Sequence, residues 1–375
     1  MHILIAPGAF KHSLTATQAA YIIQRGIQAG LPSATTALLP IADGGNGTLD
    51  AWLANGGTRY SVTVHDPLMR PIEADYGILP DGKTAIIEMA LASGIELLTN
   101  DELNPLIATT FGTGELMRHA LEKGARRFII GMGGSATVDG GSGAIRALGV
   151  KLLDANGAEI PHGGGNLTSL ETIDTSDLDP RWQDCEIIIA SDVDNPLLGE
   201  QGAAAVFGPQ KGASLDDVQT LESNLAHFAR VIADQHNRDI REVAGTGAAG
   251  GLSAGLLAFL GGRIQSGIDL LLDHADFDML LANTDLIITG EGQMDGQTIH
   301  GKGPIGIAQR AQKSGVPTVA LVGGLDVHDK VLHDAGIQAV LPIVTKPMPL
   351  SDAIANAEDL LERAAFRLVN ILSIN

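Results

Sequence analysis

The sequence predicts an α/β protein, with a doubly wound parallel-sheet domain formed from both chain ends and a second α/β domain inserted between them. Near both ends, short apolar runs alternate with amphipathic runs, and this strand–helix order is typical of a parallel sheet. Aromatic residues make up only 3% of a chain that is 45% hydrophobic, so Ala, Val, Ile and Leu must fill the cores, which suits helices packed on a buried sheet. The 47 glycines form no low-complexity tract, which places them in loops between regular elements.

The outer domain is predicted from the two ends of the chain. It opens with a strand at His2–Pro7, and a helix follows whose start is marked by Thr15 and Gln18 in capping-box spacing. The further elements predicted for this domain are strands at 35–41, 285–289, 318–323 and 339–344 and a last helix that starts at Ser351.

The middle of the chain has a different order of predicted strands and helices. Closely spaced strands at 60–65, 72–79 and 84–89 lack helices between them, which indicates that the chain leaves the first sheet. The α/β alternation returns from Gly112, with strands at Arg127–Gly131 and Glu186–Ala190 and a long helix capped by Ser214. We therefore assign residues 1–65 and 260–375 to the outer domain and 66–259 to the inserted domain, and we expect the active site in the cleft between them.

The charge and the cysteine content exclude several classes of protein. A formal net charge of −20 without a basic run argues against nucleic-acid and anionic-membrane partners, although local N–H groups and lysines can still bind a small anion. A single cysteine excludes an intramolecular disulfide. Because no apolar run approaches the ~20 residues of a membrane span and no signal-peptide pattern is found, a soluble, cytoplasmic protein is expected.

Apolar strands repeatedly end in loops that combine glycine with a carboxylate. Ligands gather at the carboxyl ends of parallel strands, so several such loops favour a site for phosphates and a divalent cation, for which Mg²⁺ is suited. Each acid taken alone is equally typical of a turn or a helix N-cap. The acids in these loops are Asp43, Asp139, Asp192, Asp194, Glu291 and Asp295.

Three lysines, Lys11, Lys211 and Lys302, also lie in glycine- or turn-rich loops, where a lysine can neutralise a phosphoryl group or simply be solvated. Residues 296–303, GQTIHGKG, nearly match the phosphate-binding loop pattern, but Gly303 stands where a hydroxyl should bind Mg²⁺, so we interpret the match as chance. No Gly-x-Gly-x-x-Gly follows the first strand, which makes a Rossmann-type oxidoreductase a weaker alternative.

A series of segments, in order over nearly the whole chain, resembles the type I glycerate kinase family. They are IAPGAFKHSLTA, IADGGNGT, IIEMALASG, NPLIATTFGTGEL, GMGGSATVDGG, SDVDNPLLGEQGAAAVFGPQKGA, GTGAAGGLSAGLLAFLGG and TGEGQMDGQTIHGKGP. The resemblance implies ATP-dependent phosphorylation of D-glycerate with Mg²⁺, by a two-domain α/β enzyme. It is similar to the bacterial branch that yields 2-phosphoglycerate, and it allows a homodimer.

The chain departs from the family pattern at several positions. Gly8-Ala9 replaces the usual Asp-Ser, Asn46 replaces Glu, Val138 replaces Asn, and Gln293 replaces an Arg that often follows Gly292. These changes keep two alternatives open: a kinase of a related small hydroxy acid, and a binding protein for nucleotides or acid sugars that does not catalyse.

The resemblance and the loops together give a residue-level hypothesis. Asp192 is the expected base or metal-linked acid, Lys11 binds the substrate carboxylate or the transferring phosphate, and Glu291 and Asp295 coordinate Mg²⁺ directly or through water. The expected substrate- or phosphate-binding residues are Ser13, Asp43, Gly44, Gly45, Gly133, Gly134, Ser135, Thr137, Asp139, Asn195, Lys211, Gly250, Gly251, Gly290 and Lys302.

Overall fold

The computed structural model describes residues 1–42, 44–54, 56–296, 298 and 303–374. The chain divides into two compact units: unit 1 comprises Met1–Asp43, Asp50–Asn55 and Gly267–Asn375, and unit 2 comprises Gly44–Leu49 and Gly56–Ser266. Among the described residues, no helix combines the length and the apolar composition that crossing a membrane requires.

The described strands alternate with helices over most of the chain. The strands are β1 His2–Pro7, β2 Thr35–Leu38, β3 Thr58–His65, β4 Pro71–Ile78, β5 Thr84–Glu88, β6 Arg127–Gly131, β7 Lys151–Leu153, β8 Thr172–Asp174, β9 Glu186–Ala190, β10 Arg263–Gln265, β11 Leu286–Met294, β12 Thr318–Leu325 and β13 Ile337–Pro342. The helices are α1 Ala16–Gly30, α2 Thr48–Leu53, α3 Ala90–Ser93, α4 Phe111–Glu122, α5 Ser142–Ala147, α6 Ala203–Phe207, α7 Leu215–His236, α8 Ala248–Leu260, α9 Gly267–His274, α10 Phe277–Leu281, α11 Gly303–Lys313, α12 Asp329–Asp334, α13 Leu350–Ala355 and α14 Ala357–Leu372.

Unit 1 contains a five-stranded sheet in the order β13-β12-β11-β1-β2, in which every neighbouring pair is parallel. One apolar core joins α1 and α14 to β1, β11 and β12. A second core joins α11 and α12 to β11 and β12 through other side chains of the same strands. Successive side chains of a strand point to opposite faces, so the sheet is covered on both sides. This confirms the predicted doubly wound class.

Unit 2 contains a six-stranded sheet in the order β10-β9-β6-β5-β4-β3. The neighbours from β10 to β5 are parallel, whereas β4 and β3 are antiparallel. The closely spaced strands predicted without helices are therefore present as β3, β4 and β5. Because β5, β6, β9 and β10 run in one direction, their carboxyl ends lie along one edge of this sheet.

Local signals in the sequence predict two helix starts correctly. Thr15 and Gln18 exchange both capping-box hydrogen bonds at the start of α1, and Ser214 and Asp217 do the same at the start of α7. The last helix is interrupted, with α13 and α14 separated at Asn356. The single predicted helix from Ser351 is wrong in that respect.

The prediction that the strand ends at residue 289 and that Glu291 lies in the loop after it is wrong. Strand β11 continues to Met294, with Glu291 paired to Val322 in parallel register. The glycines permit a close strand approach: a Cβ added to Gly290 would lie 2.0 Å from the carbonyl oxygen of Leu321. Glycine in a strand marks close backbone packing as readily as it marks a turn. The loop therefore begins after Met294.

Close packing of α1 on α14 generates a test in unit 1. A Cβ added to Gly26 would lie 2.3 Å from the carbonyl oxygen of Glu362. At a solvent-exposed position inside a helix, a Gly→Ala substitution raises the free energy of unfolding by about 1 kcal/mol. Here we expect Gly26→Ala to destabilise by about 1–3 kcal/mol instead, because the helices must separate. Denaturant unfolding measures the change.

The matched control for Gly26→Ala is Gln28→Ala, an exposed position of the same helix, which should shift stability by no more than about 0.5 kcal/mol. A Gly26→Ala variant more stable than the parent would contradict the proposed contact.

Candidate active site

The candidate site in unit 2 is built on the carboxyl ends of β5, β6 and β9. The segment Gly44–Leu49 lies against these ends. The N–H group of Gly133 donates to the carbonyl oxygen of Gly44 at 2.8 Å. A Cβ added to Gly44 would lie 2.5 Å from the carbonyl oxygen of Ala190, and one added to Gly133 would lie 2.3 Å from the Cα of Gly45. Glycine is thus required on both sides of this contact.

Glu88, the last residue of β5, holds the segment Gly44–Leu49 in place through hydrogen bonds. It is absent from the site predicted from the sequence. Its side chain is buried and accepts hydrogen bonds from the N–H groups of Gly47 at 3.0 Å and Leu49 at 2.9 Å. A carboxylate at the start of α2 also complements the positive end of the helix. The available signal was a lone acid at the end of the apolar run of β5.

The loop after β6 reaches the surface only at its beginning. Gly133 and Gly134 are accessible and Ser135 is 9% exposed, whereas Thr137 and Asp139 are 0% exposed. Only the three residues from Gly133 to Ser135 can contact a ligand in this conformation. Their backbone approaches without side-chain obstruction, which suits an anion bound through N–H groups.

Asp139 braces the loop from inside. Its carboxylate accepts hydrogen bonds from the N–H and Oγ1 of Thr110, each at 2.9 Å, and from the N–H groups of Gly141 at 3.0 Å and Gly143 at 3.1 Å. Burial raises the pKa of the Asp139 carboxyl above its ordinary value, and these hydrogen bonds oppose the rise. Asp139 therefore stabilises the conformation of the loop. It can affect a bound ligand only through that conformation, because its carboxylate is buried.

Lys211 braces the neighbouring part of the same loop. The side chain is 1% exposed, and its Nζ donates to Ser135 Oγ and to the carbonyl oxygen of Thr137, both at 2.7 Å. Burial lowers the pKa of Lys211 to about 7, while the charge of Asp139 acts in the opposite direction. Two opposite charges thus hold one loop within the core of unit 2.

The turn at the start of α8 closes over the loop from the other side. Gly250 and Gly251 have φ of 64° and 89°, and a Cβ on Gly250 would lie 1.9 Å from the carbonyl oxygen of Thr137. The N–H of Gly140 donates to the carbonyl oxygen of Gly250 at 3.0 Å. Both glycines are buried, so the structure places them as packing partners of the loop.

The segment after β9 carries Asp192, which is half-buried, and Asp194, which is exposed. Asn195 joins this segment to its surroundings: its Nδ2 donates to the carbonyl oxygen of Gln201 at 2.8 Å, and its own carbonyl accepts from Gly247 N–H at 2.9 Å. β9 is the direct neighbour of β6, so Asp192 and the loop of Gly133 leave the sheet at adjacent positions.

A cavity of about 120 Å³ opens beside Gly134. Its lining residues combine two carboxylates, an amide and apolar surface, which suits a small polar molecule with hydroxyl groups. The lining residues are Asn46, Glu88, Ala90, Leu91, Glu96 and Gly134.

Of the departures from the family pattern, Asn46 is the one that lines this cavity. Val138 is buried in an apolar cluster with Leu221 and Leu225, so its side chain faces the core.

In unit 1, the predicted residues at the carboxyl end of β1 lie beside β11. The N–H of Gly8 donates to the carbonyl oxygen of Gly290 at 2.8 Å. Lys11 is exposed, and Ser13 Oγ donates to the carbonyl oxygen of Phe10 at 2.9 Å. Lys11 is thus accessible to a ligand, whereas the Ser13 hydroxyl proton is used within the loop.

The two predicted metal ligands are linked through Thr298. Its Oγ1 donates to Glu291 Oε1 at 3.0 Å and accepts from the N–H of Asp295 at 3.2 Å. Over the described residues, no group of three or more His, Cys, Asp or Glu side chains is arranged to hold a metal ion. Asp43 and Lys302, the other predicted residues of these loops, lie outside the described residues.

Comparison with known proteins places the chain among kinases. A sequence profile described as the glycerate kinase family matches residues 3–373. The chain is 47% identical over 366 residues to the glycerate kinase of Bacillus subtilis strain 168, covering 97% of this chain and 96% of that protein. It is 46% identical over 375 residues to the glycerate 2-kinase of Escherichia coli K12, covering 100% and 98%.

A solved structure agrees in fold. The crystal structure of a putative glycerate kinase 2 from Salmonella typhimurium LT2 superposes with a TM-score of 0.86 at 43% identity, and the match covers 99% of this chain and 98% of that one. The expected α/β class is thereby confirmed.

The bracing role of Asp139 generates a stability prediction. Asp139→Asn replaces one carboxylate oxygen by an NH₂ group that faces donors such as the Thr110 and Gly143 N–H groups. We expect a loss of at least about 2 kcal/mol in the free energy of unfolding, because buried donors lose a charged acceptor. Denaturant unfolding at neutral pH measures it.

Asp184→Asn is the control for Asp139→Asn, since Asp184 is exposed just before β9; a change within about 0.5 kcal/mol is expected. Equal stability of the two variants would show that the Asp139 hydrogen bonds contribute nothing.

Proposed function

This chain belongs to the glycerate kinase family, and we propose that it transfers the γ-phosphoryl group of ATP to D-glycerate. The observation that carries the proposal is its similarity, over the full length, to proteins named as glycerate kinases. The site in unit 2 supports it, because phosphoryl transfer needs anion-binding N–H groups, charge neutralisation and a group that orients or deprotonates the acceptor hydroxyl.

The proposed acceptor is the 2-hydroxyl, which gives 2-phospho-D-glycerate and ADP. The support is the full-length match to a glycerate 2-kinase of E. coli. The cavity beside Gly134 suits the hydroxyl groups of such a substrate, since Asn46 and Glu96 can accept hydrogen bonds from them. A related hydroxy acid is the second candidate substrate, because Asn46 lines the cavity where the family has a glutamate.

The roles follow from accessibility. Asp192, half-buried at the end of β9, is the proposed group that orients or deprotonates the acceptor hydroxyl. Gly133, Gly134 and Ser135 bind an anionic group at the exposed start of their loop. Lys11, which is exposed, binds a substrate carboxylate or the transferring phosphate.

The carboxylates of the proposed ligands suit Mg²⁺, but they are too few to fill its coordination shell without water or phosphate oxygens. Mg²⁺ usually takes one or two carboxylates and completes its shell with water and phosphate oxygens. Glu291 and Asp295 are the proposed carboxylates of this kind; Thr298 bonds the carboxylate of Glu291 and the backbone N–H of Asp295. When bound, the ion would neutralise charge on the nucleotide phosphates.

Asp192→Asn tests the catalytic assignment. We expect kcat to fall by about 10²- to 10⁴-fold, because an amide cannot accept the hydroxyl proton. A coupled assay of ADP release with D-glycerate and ATP measures the rate, and unfolding measures whether the variant is intact.

The control for Asp192→Asn is Asp184→Asn, at the opposite end of β9, which should keep the parental kcat. Full activity of Asp192→Asn would remove the base assignment and leave the reaction itself in place.

The position of phosphorylation is read from ³¹P NMR of the product. A phosphate on C2 couples to a single proton and gives a doublet, whereas a phosphate on C3 couples to two protons and gives a triplet. We expect a doublet that forms only with both ATP and D-glycerate. A triplet would overturn the 2-hydroxyl, and ATP consumption with other hydroxy acids but not glycerate would favour the second candidate substrate.

A further inference from the structure

Lys211 is a buried cation directly behind the accessible start of the loop after β6. We propose that Lys211 is a positioning residue, whose ammonium group holds Ser135 so that the Ser135 hydroxyl donates its proton outward to an oxyanion of a bound ligand. The oxyanion is a carboxylate of the acceptor or a phosphate of the nucleotide. The inference rests on the proposed function and assigns Lys211 no direct contact with either ligand.

The geometry keeps Lys211 in this place. At 1% exposure its side chain cannot reach a ligand in solvent. The short 3₁₀ turn Pro209–Lys211 ends at Gly212, whose φ is 95°, and a Cβ there would lie 2.5 Å from the carbonyl oxygen of Leu103. The backbone that carries Lys211 is thus packed without room for a side chain at the next residue.

The hydrogen-bond chemistry sets the direction of the Ser135 proton. An ammonium group can only donate, so Ser135 Oγ must accept the 2.7 Å bond from Lys211 Nζ. The single Ser135 O–H is then left for another acceptor, and none is found for it within the part of the chain that the structure describes. Ser135 follows Gly134, which lines the cavity. A donor backed by a positive charge binds anions more strongly than a neutral one.

Protonation of Lys211 makes this arrangement dependent on pH. The pKa of Lys211 is lowered to about 7 by burial, and Asp139 is the one charged group among the described residues that acts on it. A neutral amine has a lone pair, so above this pH the Ser135 O–H can turn inward to Lys211. We therefore expect affinity for the anionic group to fall as pH rises through about 7.

A double-mutant cycle tests the inference. Lys211→Met and Ser135→Ala should each raise one KM, for ATP or for glycerate, by about 10- to 100-fold, as expected for loss of a charge-assisted hydrogen bond to that ligand. The KM that changes identifies the oxyanion. In the double variant the KM should equal that of Ser135→Ala, because Lys211 acts through Ser135. Ser135→Thr keeps the hydroxyl and should restore most of the affinity.

The pH profile separates positioning from a purely structural role. In the parent the affected KM should rise above pH about 7, and in Ser135→Ala it should not vary with pH in this range. This comparison decides the question even if Lys211→Met does not fold. Lys313→Met, an exposed lysine of α11, is the matched control and should leave both KM values unchanged.

The inference is overturned if Ser135→Ala changes neither KM, or if Lys211→Met raises KM by the same factor with and without the Ser135 hydroxyl. Failure of the proposed function looks different, since the parent would then not turn over D-glycerate with ATP. In that case, thermal-shift titrations of ATP and of glycerate against the same four proteins of the cycle still measure the coupling.

Discussion

The candidate site depends on two opposite charges that are buried against one loop. Lys211 binds the loop after β6 at Ser135 and Thr137, and Asp139 binds its far end together with Thr110. Removing an ion from water costs several kcal/mol unless hydrogen bonds replace the lost solvation, so each charge is tolerated only in a fully formed network. The network therefore favours one conformation of the loop, and that conformation exposes only the residues from Gly133 to Ser135.

Glycine residues allow the backbone segments around this network to pack closely against one another. Gly133 touches the segment of Gly44 and Gly45, and Gly250 touches Thr137, at distances that exclude a Cβ atom. The loop is consequently packed between two other segments of unit 2, one on each side. A packed loop loses little further entropy when a ligand binds, which raises affinity without any added contact.

Periodicity and capping signals predict the α/β class, and the rule that ligands bind at the carboxyl ends of parallel strands selects Asp192 and Gly133 as candidate site residues. The structure alone shows that these two residues follow adjacent strands, because β6 pairs with β9. Burial was not predictable in the same way, because a glycine-rich loop looks the same whether it faces water or the core. Asp139 and Lys211 are therefore predicted to bind the ligand, although the structure buries both side chains behind the loop. The glycines of β11 predict a loop for the same reason, because the sequence does not show which partner strand packs closely against them.

A chain with net charge −20 must bind anionic ligands against its own overall field. At physiological ionic strength this field is screened beyond about 8 Å, so groups next to the ligand decide the binding energy. A loop of glycine and serine offers N–H and O–H donors without carrying an exposed charge. Placing the cation beneath it, at Lys211, keeps the positive charge away from solvent while it still polarises the nearest donor. The exposed side chains of the loop can then be small, so that a phosphate or a carboxylate can approach the backbone N–H groups.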